Sequence, residues 1–313
     1  MRRITQATRG TVGRSAARLR RTLPLVLVLA LTALVVPQSS VREAPAQLVR
    51  VQSAHEVASR DVVWVLMLGS DARPGQPVLR SRADAIQLVG INTRTQSGIT
   101  IGIPRDSYVN IPGHGRNKIN AAMLYGGPQL MGRAVGDMVG IRPQYVFTTS
   151  FWGFSRMVDS IGGVTVDSKY AFSDPVRPQG YKVGKNKLNG IQAMIFSRLR
   201  KPFPGGDFDR SANQQRTLEA VLRQVRENDD RRGFMERGVM SVLMNLDTPN
   251  ARPADLYRLA HAAARIKPQR FRGCVISGSV GNVGAASVVF PNIGQARSIA
   301  NRVRRDATLE GGC

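Results

Sequence analysis

Four arginines and three aspartates between residues 71 and 210 occur in short segments typical of a site for a phosphorylated anion. The segments are LGSDAR (68–73), RADA (82–85), IPRDS (103–107), NKINAA (117–122), SRLR (197–200) and DFDRSANQQ (207–215). The seven residues are Asp71, Arg82, Asp84, Arg105, Asp106, Arg198 and Arg200. One guanidinium group can bind two phosphate oxygens at once. Two neighbouring carboxylates can hold Mg²⁺ beside a substrate phosphate. These residue types predict metal-assisted chemistry on a polyanion.

Strand ends must bring these residues together. The apolar run 62–68 reads as a buried strand that stops just before Asp71. The runs 85–91 and 99–103 are joined by a polar, glycine-containing turn, which predicts a hairpin. Antiparallel pairing would place Asp84, at the start of one strand, beside Arg105 and Asp106, just past the end of the other. We expect Asp71 on the same rim.

The rest of the chain alternates between strand and helix patterns. Strands are predicted over 144–149, 164–167, 271–277 and 285–290, and residues 170–187 read as a loop. Helices are predicted over 118–124, 128–139, 151–161, 188–199, 211–226, 232–244, 253–265 and 293–305. This mixture predicts an α/β fold, a three-layer α/β/α sandwich. With no internal repeat or change of composition, residues 61–313 read as one domain.

The N-terminus predicts a membrane context. A region with seven arginines and no acid precedes an almost uninterrupted apolar run, 23–36. We predict a basic cytoplasmic N-terminus over 1–22, a transmembrane anchor or signal region over 23–37, and an extracytoplasmic linker over 38–60. The folded domain would then lie outside the cytoplasm, at the cell membrane. We favour an anchor, and a cleaved secretion signal remains the alternative.

Charge and cysteine content narrow the partners. The formal net charge of +24 favours a polyanionic partner. An extracytoplasmic location disfavours nucleic acid and ATP chemistry, and we expect no nucleic-acid partner. The two cysteines, Cys274 and Cys313, either form a disulfide or stay free. The scattered histidines His55, His114 and His261 argue against a zinc site.

Five motifs in order along the chain resemble the LytR-CpsA-Psr family of cell-envelope transferases. They are LGSDAR, IPRDSYV (103–109), KINAAMLYGGP (118–128), DSIGGV (159–164) and LNGIQA (188–193). The resemblance covers residues 62–225 by motif, and 240–313 only in pattern. It implies a central mixed β-sheet and makes 61–313 the catalytic domain of a membrane-anchored enzyme. Such an enzyme moves a glycopolymer from a polyprenyl pyrophosphate carrier to a peptidoglycan acceptor, forming a phosphodiester and releasing polyprenyl phosphate.

The resemblance also assigns roles by position. Asp71 and Asp84 match the aspartates associated with Mg²⁺ (or Mn²⁺). The residues that match the pyrophosphate site or support it are Arg73, Arg82, Arg105, Lys118, Arg198, Arg200, Asp207, Arg210 and Gln214. Asn213 stands where the family often has arginine, and a Pro-Gly insert before Asp207 leaves its alignment against Asp209 open. The general base would be Asp106 or Asp207.

The lipid tail requires an apolar groove, for which helical residues are candidates. They are Met123, Leu130, Met131, Phe151, Trp152, Met157 and Ile195. Two other functions compete with transfer: polyprenyl pyrophosphate hydrolysis, which could also be a side activity, and non-catalytic binding of wall polymer or lipid. The carboxylates argue against a pure anion clamp. A membrane-bound transcriptional regulator is disfavoured because 22 residues are too few for a DNA-binding module.

Overall fold

Short apolar strands and amphipathic helices alternate along the chain. The computed structural model describes residues 46–51, 61–72, 76–228, 234, 246–247 and 253–313, which lie within the compact unit Ala44–Cys313. The strands are β1 (Ala46–Arg50), β2 (Val62–Ser70), β3 (Ala83–Asn92), β4 (Ser97–Gly102), β5 (Tyr108–Ile111), β6 (Gly115–Lys118), β7 (Tyr145–Ser150), β8 (Val164–Ser168), β9 (Phe172–Asp174), β10 (Arg177–Tyr181), β11 (Gly184–Leu188), β12 (Leu246–Asp247), β13 (Phe271–Val275), β14 (Gly278–Val283) and β15 (Ala286–Pro291). The helices are α1 (Ala121–Val139), α2 (Phe151–Ser160), α3 (Gly190–Arg198), α4 (Asp207–Arg226), α5 (Pro253–Ala264) and α6 (Ile293–Val303).

Within the described residues, the central sheet is mixed and has seven strands in the order β12-β1-β7-β2-β3-β4-β13. Strands β2, β3 and β4 pair antiparallel, which confirms the predicted hairpin, whereas β7 pairs parallel to β2. Both the carboxyl end of β2 and the start of β3 therefore lie on one edge, together with the end of β4. This edge carries the acidic and basic residues of the motifs.

One face of the sheet is covered by α1 and α6. Side chains such as Leu66, Leu88 and Ile101 are completely buried there against the two helices. Sequence patterns predicted two helices here, and α1 consists of two helical segments separated by non-helical backbone at Gly126 and Gly127. The break occurs because Gly127 has φ of 61° and the next residue, Pro128, has no N–H to donate.

The opposite face is covered by α2, α4 and α5, which completes the predicted three-layer sandwich. Leu218 of α4 and Leu259 of α5 pack towards strand residues such as Val65 and Phe147. Helix α3 packs beside α2 and α4 over a small separate apolar cluster that includes Phe196 and Val166. Alternate side chains of each central strand therefore enter two different helical layers.

The structure corrects several predicted elements. The linker prediction over 38–60 is wrong for Ala46–Arg50, because Leu48 and Val49 are buried and the segment pairs with β7 as a strand. The predicted loop over 170–187 contains β9, β10 and most of β11, in which buried Asn186 and Leu188 alternate with exposed lysines. The β5–β6 hairpin and β14 were not predicted. Apart from the helical residue Phe234, the predicted helix over 232–244 lies outside the described residues.

Two further expectations bear on the chain ends. Cys274 of β13 and Cys313 form a disulfide, with their Cα atoms 5.7 Å apart. This settles the alternative left open by the sequence. The apolar run 23–36 lies outside the described residues, and none of the helices within the described part has the length and apolar character to span a bilayer.

Candidate active site

The predicted rim exists, and its centre is an ion pair between two strand ends. Arg105, three residues after the end of β4, donates from Nη1 to Asp84 Oδ1 at the start of β3. The backbone N–H of Asp71 donates to the carbonyl of Arg82 over 3.2 Å, which fixes the end of β2 beside them. The predicted meeting of Asp71, Asp84 and Arg105 is confirmed.

Three cationic side chains surround the carboxylate of Asp106. Lys118 Nζ lies 3.1 Å from Asp106 Oδ1, and Arg200 Nη1 lies 3.8 Å from Oδ2. Arg105 Nε approaches the same carboxylate at 4.0 Å. Because the positive charges outnumber this carboxylate, the cluster keeps capacity for the oxygens of a bound anion.

Helix α4 begins with a buried ion pair. Arg210 donates to Asp207 Oδ1 one turn along the helix, and both side chains are almost completely buried. Burial raises the pKa of Asp207 more than the charge of Arg210 lowers it. Asp207 interacts electrostatically with Arg105 and Arg200, whereas Asp209 accepts hydrogen bonds from Gly205 N and Tyr170 Oη. The geometry therefore places Asp207, and not Asp209, in the cluster.

A hydrogen-bonded network of buried side chains supports the backbone of this rim. Gln214 of α4 donates to the carbonyls of Asp84 (3.2 Å) and Ser197 (3.3 Å). Its Oε1 accepts from Gln87 Nε2 at 3.2 Å, and Thr100 Oγ1 donates to Gln87 Oε1 at 3.0 Å. Sequence analysis missed Gln87. An amide inside the apolar run 85–91 was the available signal, because a buried amide needs partners.

The remaining cations differ in their surroundings. Arg82 is exposed, and its charge only partly offsets the rise that burial causes in the pKa of Asp71. Arg198 lies over the ring of Phe151, with Cζ 4.0 Å from the centroid, a cation–π contact. Arg73 lies outside the described residues. Asn213 is buried, and its Oδ1 accepts from Arg216 Nη1 at 2.9 Å, so this position supplies no cation.

Asp71 and Asp84 form the only carboxylate pair that the motifs propose for a metal. Burial, and then the neighbouring charge of Asp84, raise the pKa of Asp71, so the two carboxylates are close enough to repel. Among the described residues, no group of three or more His, Cys, Asp or Glu side chains could enclose an ion. Two carboxylates that leave positions for phosphate oxygens and water fit Mg²⁺ or Mn²⁺ and do not fit a closed zinc site.

Two adjacent apolar cavities extend from the rim between the sheet and the second helical layer. Their volumes are about 250 and about 130 Å³. Six residues line both cavities: Met67, Phe147, Phe154, Met157, Leu218 and Val221. The smaller cavity reaches Ser150, Arg198 and Gln214. The apolar space therefore reaches the rim at Arg198 and Gln214.

The cavity walls agree only partly with the groove predicted from sequence. Phe151 and Met157 line the smaller cavity. The prediction is wrong for three core residues of α1, namely Met123, Leu130 and Met131, because α1 covers the opposite face of the sheet. Trp152 is exposed, and Ile195 packs on the separate α3 cluster.

Comparison with known families gives an independent result. The model of the LytR_cpsA_psr family matches residues 31–305. The chain is 34% identical over 173 residues to the polyisoprenyl-teichoic acid–peptidoglycan teichoic acid transferase TagU of Bacillus licheniformis, covering 54% of each chain. It is 33% identical over 169 residues to TagU of Bacillus subtilis strain 168, covering 53% of each. The match therefore spans about half the length of these curated relatives.

Solved structures share the fold. The crystal structure of B. subtilis TagT is similar with a TM-score of 0.62 and 26% identity, covering 79% of this chain and 91% of TagT. B. subtilis TagV has a TM-score of 0.67 at 24% identity, covering 80% of this chain and all of TagV, and supports the fold alone. The protein YwtF (TagT) with bound octaprenyl pyrophosphate lipid has a TM-score of 0.60 and 25% identity, with coverage of 80% and 92%.

Proposed function

The chain belongs to the LytR-CpsA-Psr family, and on that premise we propose that it transfers a glycopolymer from a polyprenyl pyrophosphate carrier to peptidoglycan. The observation that carries this proposal is the cationic cluster at the mouth of an apolar cavity. A prenyl pyrophosphate has the same division into a charged head and an apolar tail. The relative described with bound octaprenyl pyrophosphate supports this class of ligand, and the TagU relatives are named for transfer to peptidoglycan.

In the proposed reaction, an acceptor hydroxyl oxygen attacks the phosphorus that carries the glycopolymer. A phosphodiester forms, the bond to the bridging pyrophosphate oxygen breaks, and polyprenyl phosphate leaves. Arg105, Lys118 and Arg200 hold the phosphate oxygens, with Arg82 and Arg198 at the edges of the cluster. Positioning and charge stabilisation of this kind provide most of the rate in phosphoryl transfer.

Asp71 and Asp84 would hold Mg²⁺ or Mn²⁺. When bound, the ion supplies positive charge that stabilises the phosphate oxygens and the leaving group. Arg105 contacts Asp84 directly, so the guanidinium orients this carboxylate. Gln214, bonded to the carbonyl of Asp84, fixes the backbone beneath it.

Asp207 is the better candidate for the proton acceptor. Asp106 lies within 4.0 Å of three cationic side chains, so its two oxygens already have charged partners. By contrast, Asp207 Oδ2 is buried and has no hydrogen-bond partner among the described residues. Burial also raises the pKa of Asp207, which makes its carboxylate a stronger base. We assign it the proton released by the acceptor hydroxyl.

The location completes the proposal. An N-terminal anchor over 23–37 would keep the enzyme at the cell membrane, with the catalytic domain outside the cytoplasm. The prenyl carrier resides in that membrane, and the wall acceptor lies outside it. The cleaved-signal alternative would leave the same domain on the same side.

The test uses the full chain with a polyprenyl pyrophosphate-linked glycopolymer and peptidoglycan oligosaccharides. We expect a metal-dependent phosphodiester product that EDTA abolishes and that Asp84→Asn loses. The exposed cation Arg94 is paired with Asp61 away from the rim, and Arg94→Ala is the matched control. Release of polyprenyl phosphate without product, at the same rate with and without acceptor, would identify a hydrolase. Tight lipid binding without any turnover would identify a binding protein.

A further inference from the structure

The β5–β6 hairpin starts and ends in the candidate active site. Strand β5 follows Asp106, and β6 ends at Lys118, whose Nζ lies 3.1 Å from Asp106 Oδ1. The two strands close through the hydrogen bond from Ile119 N to the carbonyl of Ser107, at 2.8 Å. A molecule that binds along this hairpin therefore has one end at the cationic cluster.

One surface of the hairpin displays planar polar groups. Tyr108 pairs with Lys118, and Asn110 pairs with Arg116. Directly paired residues in antiparallel strands project to the same side, so the phenol, the amide and two cations share one surface. The guanidinium of Arg116 lies 5.0 Å from the ring centroid of Tyr108. The ring of Phe290 of β15 is nearly perpendicular to that of Tyr108, with the two centroids 6.3 Å apart.

The hairpin turn braces an exposed aromatic ring on α1. His114 stacks on Tyr125 with ring centroids 4.8 Å apart and planes 18° apart. Asn117 Nδ2 donates to Tyr125 Oη at 2.9 Å. Tyr125 nevertheless remains 42% exposed. Asn117 pairs with Val109 and therefore projects to the face of the hairpin opposite Tyr108, Asn110 and Arg116. Tyr125 lies with Asn117 on that opposite face.

The charge of this region has one sign. Residues 107–136 contain Arg116, Lys118, Arg133 and His114 but no aspartate or glutamate. We call the surface formed by Tyr108, Asn110, Arg116 and Phe290 the hairpin surface. It combines exposed aromatic area with amide and guanidinium donors.

We propose that the hairpin surface binds the acceptor glycan, an anionic amino-sugar strand, and directs one of its hydroxyls to the Asp106–Lys118 end. This inference rests on the proposed transferase function. Sugar rings present C–H faces that pack on aromatic rings and hydroxyls that bond to planar donors and acceptors. Carboxylates along such a strand pair with Arg116. A protein partner is less suited, because the two aromatic rings are flanked by Asn110, Arg116 and Lys118 and form only a small apolar area.

The experiment measures binding of soluble oligosaccharides of alternating N-acetylglucosamine and N-acetylmuramic acid to the full chain. We expect Tyr108→Ala and Arg116→Glu each to weaken the Kd by about three- to tenfold, the loss of one stacking or charged contact. Tyr108→Phe keeps the ring and should retain most of the affinity. Two controls should leave glycan binding unchanged: Tyr125→Ala, on the opposite face of the hairpin, and His261→Ala, which removes an exposed histidine of α5.

Binding of a polyprenyl pyrophosphate to the same samples is measured separately and reports on the lipid site. Glycan affinity lost only in the hairpin variants supports the inference, even where the chain shows no transfer. Absent transfer would count against the proposed function alone. The inference is overturned if the parent does not bind the oligosaccharides. Equal affinity of parent, Tyr108→Ala and Arg116→Glu would overturn it as well.

Discussion

The two faces of the central sheet carry similar apolar side chains, but one face is a filled core and the other borders a cavity. On the α1–α6 face, Leu66 and Leu88 are fully buried in a continuous core. On the α2–α4–α5 face, Met67 and Val89, their neighbours along the strands, line a cavity of about 250 Å³. Adjacent residues of one strand therefore contribute to stability on one side and to a binding space on the other.

This difference shows that apolar patterning alone does not determine function. A strand buried on both faces reads as a continuous apolar run whether or not the covering helices close over it. The protein leaves apolar area on one face incompletely packed, which forgoes dispersion contacts. An apolar tail entering the cavity would restore them. The following predictions test this division between the faces and the rim that joins them.

The largest expected effect is on the rim. Arg105→Ala should reduce transfer by about 10²–10³-fold, because it removes a preorganised positive charge from the phosphate site. Lipid uptake should persist, since the cavity walls are unchanged. Turnover and prenyl-lipid binding are measured in parallel, with Arg94→Ala as the control. Loss of both properties together would contradict the separation of the charged rim from the apolar cavity.

The next prediction compares the two faces by truncation. Leu88→Ala on the α1–α6 face should cost about 2–5 kcal/mol of unfolding free energy, because a new hole opens in a filled core. Leu218→Ala on the other face should cost less than about 2 kcal/mol, since Leu218 already borders empty space. Chemical denaturation of both variants gives the values. Equal costs would show that the two layers are packed alike.

Local signals account for what the sequence predicted. The polar turn between two apolar runs identified the β3–β4 hairpin, and that hairpin alone brings Asp84 to Arg105. By contrast, β1 was missed because its few apolar residues become a strand only by pairing with β7, about 100 residues away. The cavity was assigned partly to α1 because helix patterns do not reveal which face of the sheet a helix covers. The role of Gln87 depends on Gln214, and their sequence separation is 127 residues.

Substitution of a small side chain by a large one should also distinguish the two faces of the central sheet. Ala300→Phe, at a buried position of α6 beside α1, should destabilise the fold by about 1–3 kcal/mol through overpacking. Ala263→Phe projects into the larger cavity, and we expect near-parental stability together with weaker lipid binding. Thermal unfolding and lipid titration are the measurements. Strong destabilisation by Ala263→Phe would mean that the cavity cannot accept added volume.

The smallest expected effect near neutral pH is the dependence of turnover on the protonation of Asp207, at the start of α4. Burial raises the pKa of Asp207, so its carboxyl holds a proton at higher pH than an exposed aspartate does. Only the deprotonated form can accept the hydroxyl proton. Turnover should therefore fall as pH decreases through this raised pKa, by up to about tenfold per pH unit below it.

Asp71 has a raised pKa as well, and its protonation would lower turnover in the same direction. The two contributions are separated by repeating the pH profile at saturating Mg²⁺, because a bound cation favours the ionised form of Asp71 and not of Asp207. Asp207→Glu should shift the profile that remains, since the longer side chain changes both the burial and the contact with Arg210. A profile that is flat down to the ordinary range of aspartate, or that Asp207→Glu leaves in place, would assign the proton transfer to another group. Asp106, already surrounded by Arg105, Lys118 and Arg200, would then be the remaining carboxylate of the rim.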